Sequence, residues 1–294
     1  RYRYEVENCV KEMAGQDVKG KLKTAGVDKV ASIKVKEKDS GNKIAVLYAE
    51  GEIRDDDSSS PFSADEQVIS EEMANKLRKL KDDDDVKAVV FRVNSPGGSA
   101  YISEQIWKEV VELKAKKPIV VSMGNYAASG GYYISCAANK IVAERTTLTG
   151  SIGVFGVVRN FTGTFDKVGV TTDIVKTNTF ADLGDISRPM REDEKALIQR
   201  GVEQTYDLFL TRCADGRGMT KAEIDSIGQG RVWTGEQALE RGLVDQLGGM
   251  DDAIKEAATL AELTDYSVIV ADGPKDFFTK FMEKQMDEAK VSIA

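Results

Sequence analysis

Two glycine-rich segments containing serine are the parts of this chain best suited to covalent chemistry. Residues 94–99 read NSPGGS, and residues 125–132 read NYAASGGY. The 294 residues include no histidine, so a Ser-His-Asp triad cannot form within this chain. An activated serine would need another base, and a lysine with a lowered pKa is the obvious substitute.

Ser129 is the stronger candidate nucleophile of the two segments. It follows an apolar run and precedes Gly130 and Gly131, at the predicted first turn of a helix over 128–138. Backbone N–H groups and the helix dipole favour negative charge at such a position. The alternative is that Ser129 only caps the helix, while the glycines allow close packing.

The segment from Ser95 to Gly98 lies at the end of the preceding predicted strand, where sites commonly form in α/β sheets. Paired glycines let backbone N–H groups approach a ligand without hindrance, although an ordinary tight turn is the simpler alternative. Two such elements on successive strand ends could converge on one spot. Neither segment has the pattern of a phosphate-binding loop.

Alternation of strand and helix patterns predicts an α/β fold of repeated βαβ units with a largely parallel sheet. A capping-box pattern, Ser63 with Glu66, predicts the start of one helix, and residues 55–61 have the composition of a flexible loop. The predicted strands are 43–48, 86–93, 119–123, 140–143, 149–156, 171–175 and 266–270. The predicted helices are 5–14, 63–81, 101–116, 128–138, 161–167, 191–213, 221–227, 235–241, 251–261 and an amphipathic one over 275–290.

Composition limits the classes of protein to which the chain could belong. A hydrophobic content of 41% allows a sizeable core, and no apolar run has the length of a membrane span. The net charge of −8 argues against a nucleic-acid partner. The spacing of the three cysteines fits neither a disulfide framework nor a zinc site. The acidic run Asp82–Asp85 is interpreted as a solvated turn. We expect no metal or cofactor. Cys136 is expected to be a small core residue.

Five segments, in order along the chain, resemble the signal peptide peptidase A family, also called protease IV. They are Arg92–Ser99, Tyr126–Ser135, Leu148–Gly153, Gly230–Gly235 and Gly242–Asp245. The resemblance covers about Lys43 to Ala261 and implies a Clp protease/crotonase-like fold. It also implies a serine peptidase that uses a Ser/Lys dyad to degrade remnant signal peptides in or at the membrane.

The resemblance assigns a role to several residues. It implies that Ser129 is the nucleophile and that Ser151 hydrogen-bonds the catalytic lysine. The oxyanion-hole region corresponds to Gly97, Gly98 and Gly130. Apolar residues beside the nucleophile, Tyr126 and Ala127, are candidate substrate-binding residues for a small or apolar side chain.

The lysine of the dyad is where this sequence departs from the family. Ala181 stands at the position of the lysine in single-module relatives, and Lys176 lies five residues earlier. On an extended segment this odd offset would point Lys176 to the other face. In double-length relatives the first repeat supplies the lysine and the second the serine, so we interpret the chain as a second half without its base.

This interpretation extends to domains and partners. Residues 1–42, which begin without methionine and weakly echo 251–270, are expected to be the tail of a preceding repeat and a linker. Residues 43–262 form the peptidase domain, and 263–294 a C-terminal strand and helix. The resemblance implies a homo-oligomer, with a tetramer expected for the full-length protein. It also implies the periplasmic face of the inner membrane, with anchoring through the absent N-terminal half.

Two other functions remain compatible with the sequence. One is a peptide-binding or assembly module of the same fold in which Ser129 is vestigial. The other is a crotonase-like acyl-CoA enzyme, which would use the oxyanion hole without needing Ser129, although the sequence shows no dedicated CoA-binding signature.

Overall fold

Three long apolar runs form the centre of a parallel sheet. In a computed structural model that describes residues 3–24, 40–55 and 68–271, these runs are β1 (Lys43–Glu50), β4 (Val86–Ser95) and β5 (Ile119–Ala128). Most of their side chains are buried on both faces, as expected for parallel strands covered by helices on both sides. The predicted α/β fold with a largely parallel sheet is confirmed.

The remaining elements complete an eight-stranded sheet, a small two-stranded sheet and the surrounding helices. The other strands are β2 (Glu52–Ile53), β3 (Val68–Ile69), β6 (Lys140–Ala143), β7 (Leu148–Gly150), β8 (Val232–Thr234), β9 (Gln246–Leu247) and β10 (Ser267–Val270). The described helices are α1 (Arg3–Met13), α2 (Glu72–Asp82), α3 (Ala100–Lys114), α4 (Gly130–Tyr133), α5 (Thr162–Val168), α6 (Glu192–Arg217), α7 (Lys221–Ile227), α8 (Gly235–Glu240) and α9 (Met250–Leu260).

The large sheet has the strand order β10-β1-β4-β5-β6-β9, and β7 pairs with both β5 and β8. Its strand pairs are parallel except for β7 with β8. Register aligns Ser95 of β4 with Ala127 of β5, and Ala128 of β5 with Gly150 of β7. The carboxyl ends of three strands therefore meet at one edge, where ligand sites form in α/β sheets.

Two hydrophobic layers cover the faces of the sheet. On one face, α2, α3, α4 and α6 contribute to the larger core cluster. On the other face, α9 packs through Ala253, Ala257 and Ala258 against the buried valines and isoleucines of the central strands. Small side chains on α9 allow its backbone to approach the sheet closely.

The chain divides into two compact units, Arg1–Asp39 and Ser40–Ala294. The first contains α1, followed by a turn in which the side chain of Gln16 exchanges hydrogen bonds with the backbone of Lys23. The second contains the sheet. Within the described residues no helix is long and apolar enough to cross a membrane. The predicted helix over 275–290 lies outside the described residues.

The helix predicted over 63–81 begins later than expected. Val68 and Ile69 form β3, paired with β2, and α2 starts at Glu72. β-Branched residues favour an extended backbone when a neighbouring strand is available, and that pairing overrides the helical pattern. The predicted cap at Ser63 with Glu66 lies outside the described residues, as do residues 56–61 of the predicted loop.

Four other predicted elements also differ from the structure. Strand β5 continues to Ala128, so the helix predicted from that residue is reduced to α4. The predicted strand 149–156 ends at Gly150, and residues 171–175 form no strand. Val175 is 97% exposed, and no strand of the described chain pairs with this stretch. A β-prone sequence without a pairing partner cannot form a ladder.

The acidic run lies at the surface, with Asp84 and Asp85 in a turn, and Cys136 lies in the core, as predicted. Asp82 pairs with Lys116 and Asp85 with Lys43, at the protein surface. No group of acidic or cysteine side chains among the described residues is arranged to hold a metal ion. Cys136 is fully buried in the core and unbonded to another cysteine. It lies in a turn after α4 rather than in the helix.

An ion network attaches the irregular stretch 176–190 to the start of α6. The Arg188 guanidinium contacts Asp182 at 2.8 Å and Glu194 at 2.6 Å, and Lys176 also pairs with Asp182. Arg188 is the main reason that the pKa of Glu194 is lowered to about 2, and Lys176 is the main reason that the pKa of Asp182 lies well below its usual range. Both carboxylates therefore stay charged through most of the acid range.

We predict that Glu194→Gln lowers the melting temperature at neutral pH. We also predict that the melting temperature of this variant decreases less than that of the wild type as the pH is lowered. A carboxyl whose pKa is depressed in the folded state stabilises the protein above the unfolded pKa, 4.5 for Glu194, and this contribution is lost as pH falls towards about 2. Calorimetry at neutral pH and at about pH 3 measures the effect. The control is Glu192→Gln, which removes an exposed pair with Lys195 on the same helix. If Glu194→Gln lowered the melting temperature by the same amount at both pH values, the lowered pKa of Glu194 would not be the source of the stabilisation.

Candidate active site

An open cleft of about 890 Å³ lies at the carboxyl ends of β4, β5 and β7. It is lined by residues from the loop after β4, from the turn at Ser129, from the segment after β7 and from one face of α6. The cleft therefore brings together the two serine segments predicted to converge. Its apolar lining consists mainly of Tyr133, Val154, Phe155, Val202, Tyr206 and Phe209.

Ser129 lies at the junction between β5 and α4, half-buried on the cleft wall. Its φ is +53° and its ψ is −120°, a sparsely populated conformation for a residue with a side chain. The backbone holds it there, because its N–H donates to the Gly150 carbonyl at 3.0 Å. Its hydroxyl makes no capping hydrogen bond. The alternative that Ser129 only caps the helix is therefore wrong.

Glycine at position 97 is required by the close approach of two loops. Gly97 has φ +99°, and a Cβ placed there would lie 2.5 Å from the Gly130 nitrogen and 2.8 Å from Ser129 Cβ. Neither distance can accommodate a side chain. The loop after β4 consequently contacts the turn at Ser129 through backbone alone.

Gly98 is fixed by a bridge to β2. The Ile53 N–H donates to the Gly97 carbonyl and the Ser99 N–H donates to the Ile53 carbonyl, each at 2.8 Å. With φ +147°, a Cβ on Gly98 would lie 2.0 Å from the Ile53 oxygen. This bridge determines the direction of the Gly98 backbone at the edge of the cleft.

Two backbone N–H groups remain available for a ligand oxygen. The Gly97 N–H donates to Ser95 Oγ at 3.1 Å and is thus occupied. Within the described part of the chain, the N–H groups of Gly98 and Gly130 make no hydrogen bond. Gly130 opens α4, where N–H groups lack intrahelical acceptors. Of the three glycines predicted for an oxyanion hole, Gly98 and Gly130 therefore have free donors.

Ser151 lies beside Ser129 because the two residues follow aligned positions on β5 and β7. Its φ of +48° is similar to that of Ser129, and its N–H donates to the Arg231 carbonyl at 2.8 Å. Both serines line the cleft. Their hydroxyls make no hydrogen bond to any described residue, which leaves both able to contact a further polar group.

The structure does not bring the other predicted residues to the cleft. Ala127 is fully buried within β5, and Tyr126 is exposed but is not among the lining residues; that they contact substrate stays a prediction. Lys176 also lies away from the lining, with its ammonium 3.0 Å from Asp182. Among the described lining residues there is no lysine.

One cluster at the inner end of the cleft was missed by the sequence analysis. The Tyr133 hydroxyl donates to Glu104 at 2.6 Å, and its ring lies 4.7 Å from that of Phe209. Arg212 binds the same Glu104 and stacks over Trp107 at 3.9 Å. Burial, together with Glu104, raises the pKa of Tyr133, so the phenol stays protonated. The only available signal was the four-residue spacing from Ser129 to Tyr133.

We predict that Gly97→Ala destabilises the protein by about 1–3 kcal/mol and displaces the turn at Ser129, because the new Cβ meets backbone in a strained conformation. Urea unfolding measures the loss. Gly156→Ala is the matched control, since a Cβ at Gly156 has no heavy atom within 4 Å. Equal stability of the two variants would show that the close approach is not a constraint.

Comparison with known proteins supports an assignment to a family. A family model described as Peptidase family S49 matches residues 111–264, and one described as Clp protease matches residues 62–152. Protease 4 of Salmonella typhi is 45% identical over 226 residues, which are 76% of this chain and 36% of that protein. The chain thus spans about a third of the length of that relative, and of protease 4 from Haemophilus influenzae.

Two further relatives extend the match. The chloroplastic serine protease SPPA of Arabidopsis thaliana is 36% identical over 269 residues, 90% of this chain and 39% of that protein. A putative signal peptide peptidase SppA of Enterococcus faecium is 38% identical over 245 residues, 83% of this chain and 71% of that protein. With its Clp protease-like α/β fold, the chain belongs to peptidase family S49.

Proposed function

We propose that this chain carries the nucleophile of a serine endopeptidase that uses a Ser/Lys dyad. The observation that carries the proposal is the geometry of Ser129. Its hydroxyl has no hydrogen-bond partner in the described chain, and it lines an open cleft together with Gly98 and Gly130, whose N–H groups are free in the described chain. A strained turn that exposes a serine beside such donors is suited to acyl transfer.

In the proposed reaction, Ser129 Oγ attacks the peptide carbonyl while a neutral lysine accepts its proton. Negative charge develops on the carbonyl oxygen, which the N–H groups of Gly98 and Gly130 stabilise. The lysine then passes the proton to the leaving amine, and water hydrolyses the acyl-enzyme. The Ser151 hydroxyl orients the lysine by a hydrogen bond, as its position beside Ser129 allows.

The lysine comes from outside this chain in our proposal, from the N-terminal half of a double-length protein. Three observations support this. The described lining residues include no lysine, Lys176 is held by Asp182, and the family resemblance assigns the position of the lysine to Ala181. The chain also spans only about a third of the Salmonella and Haemophilus protease 4 proteins.

Exposed apolar side chains give this partner a surface on which to dock. Phe155 and Val157 after β7 are 87% and 78% exposed, and Val175 is almost fully exposed. These residues belong to the stretch that has β-prone sequence and no pairing partner among the described strands. An exposed apolar patch formed by such residues would be typical of an interaction site.

The substrates proposed are cleaved signal peptides at the membrane. The name of the Enterococcus relative, a putative signal peptide peptidase, supports this substrate, as does an apolar cleft lining able to bind apolar segments.

We further propose a homo-oligomer, tetrameric in the full-length protein. It would lie at the periplasmic face of the inner membrane and be anchored through the N-terminal half.

We predict that the isolated chain hydrolyses an apolar reporter peptide very slowly, and that adding the lysine-bearing half increases turnover by about 100-fold or more. The measurement is kcat/KM by release of a fluorophore, with complex formation verified by size-exclusion chromatography. Ser129→Ala is expected to abolish turnover in the complex.

The matched control is Ser135→Ala, which changes a buried serine whose hydroxyl donates to the Gly131 carbonyl. Rapid turnover by the isolated chain, lost with Ser129→Ala, would mean that the base lies within this chain. No turnover in a verified complex would favour a peptide-binding module with a vestigial serine.

A further inference from the structure

The face of α6 that lines the cleft is apolar at one end and polar at the other. Its inner end presents Phe209, packed on Tyr133, and its middle presents Tyr206 and Val202. Its outer end presents Gln199 and Glu203, which also line the cleft. A ligand in the cleft therefore meets an apolar inner end and a carboxylate at the rim.

Glu203 is the one lining carboxylate that the described chain does not neutralise. The other, Glu52, binds Arg54 at 2.7 Å. Glu203 is exposed and accepts one hydrogen bond, from Gln199 at 3.0 Å, and has no described cationic partner. The described lining contains no lysine or arginine, so no charge of the cleft itself opposes a cationic ligand. The net charge of −8 acts in the same direction.

The spacing fits an extended peptide. Phe209 follows Glu203 by six positions on α6, which corresponds to about 9 Å along the helix axis. Alternate side chains of an extended chain lie about 6.8 Å apart on one face. A peptide that places an apolar side chain at the inner end would thus bring the side chain two residues away, which lies on the same face, towards the rim.

We propose that Glu203 is a specificity-determining residue that selects peptides carrying lysine or arginine two residues from an apolar side chain. This inference rests on the proposed function, since it assigns a substrate class to the same cleft. An exposed ion pair of this kind favours the cationic peptide by about three- to fivefold. The preference weakens in high salt, which screens exposed charges.

The test compares matched reporter peptides that differ at one position, with arginine, norleucine or glutamate placed in turn at each site around the apolar residue. The enzyme is the complex of this chain with the lysine-bearing half. We expect kcat/KM to be three- to fivefold higher for arginine than for norleucine at one position. Glu203→Gln should bring this ratio close to one, and Glu203→Lys should favour the glutamate peptide.

The control is Glu192→Gln on the same helix, whose carboxylate does not line the cleft. It should leave the ratio unchanged, and about 0.5 M NaCl should reduce the ratio in the wild type. Turnover of all peptides with no arginine preference would overturn the inference while leaving the proposed function intact. A preference that persists in Glu203→Gln would also overturn it.

A binding arm separates this inference from failure of the proposed function. Fluorescence anisotropy measures the same peptides, labelled, on Ser129→Ala in the complex, where no chemistry is needed. If turnover is absent in the wild type, a Glu203-dependent preference in Kd still supports the inference. Equal Kd values for the arginine and norleucine peptides would overturn it.

Discussion

The geometry of the cleft depends on one close contact, the approach of the Gly97 backbone to Ser129 and Gly130. A Cβ at Gly97 would lie only 2.5 Å from the Gly130 nitrogen, so the two loops can meet only if this residue is glycine. The contact sets the separation between the donors that follow β4 and β5. Because Gly98 is in turn bridged to Ile53, the position of its free N–H is determined by the sheet rather than by a loose loop.

Parallel pairing accounts for the rest of the arrangement. The register of β5 with β7 aligns Ala128 with Gly150, so the next residues, Ser129 and Ser151, emerge side by side with similar positive φ values. The strain at both serines is sustained by backbone hydrogen bonds to Gly150 and Arg231. A buried, high-contact framework can hold such conformations, and residues in them are concentrated at functional sites.

Strong local patterns were sufficient to predict the sheet and both serine segments. The continuous apolar run of β4 and the glycines after it have few alternative structures, and α6 has a clear helical period. Predictions failed where tertiary pairing decides. Val68 and Ile69 form a strand because β2 lies beside them. Residues 171–175 form no strand because no described strand lies beside them. Tyr126 and Ala127 lie close to Ser129 in sequence, yet neither is among the residues that line the cleft. Glu104 and Arg212 contribute to its inner end from distant helices, which no local pattern could indicate.

In the proposed mechanism, the nucleophile lies in this chain and its base does not. The most direct measurement is the rate at which a fluorophosphonate modifies the chain, alone and with the lysine-bearing half, with the modified residue located by peptide mass spectrometry. The account predicts modification at Ser129, accelerated about 100-fold by the added half. Modification at another serine, or an equally rapid reaction of Ser129 in the chain alone, would contradict it.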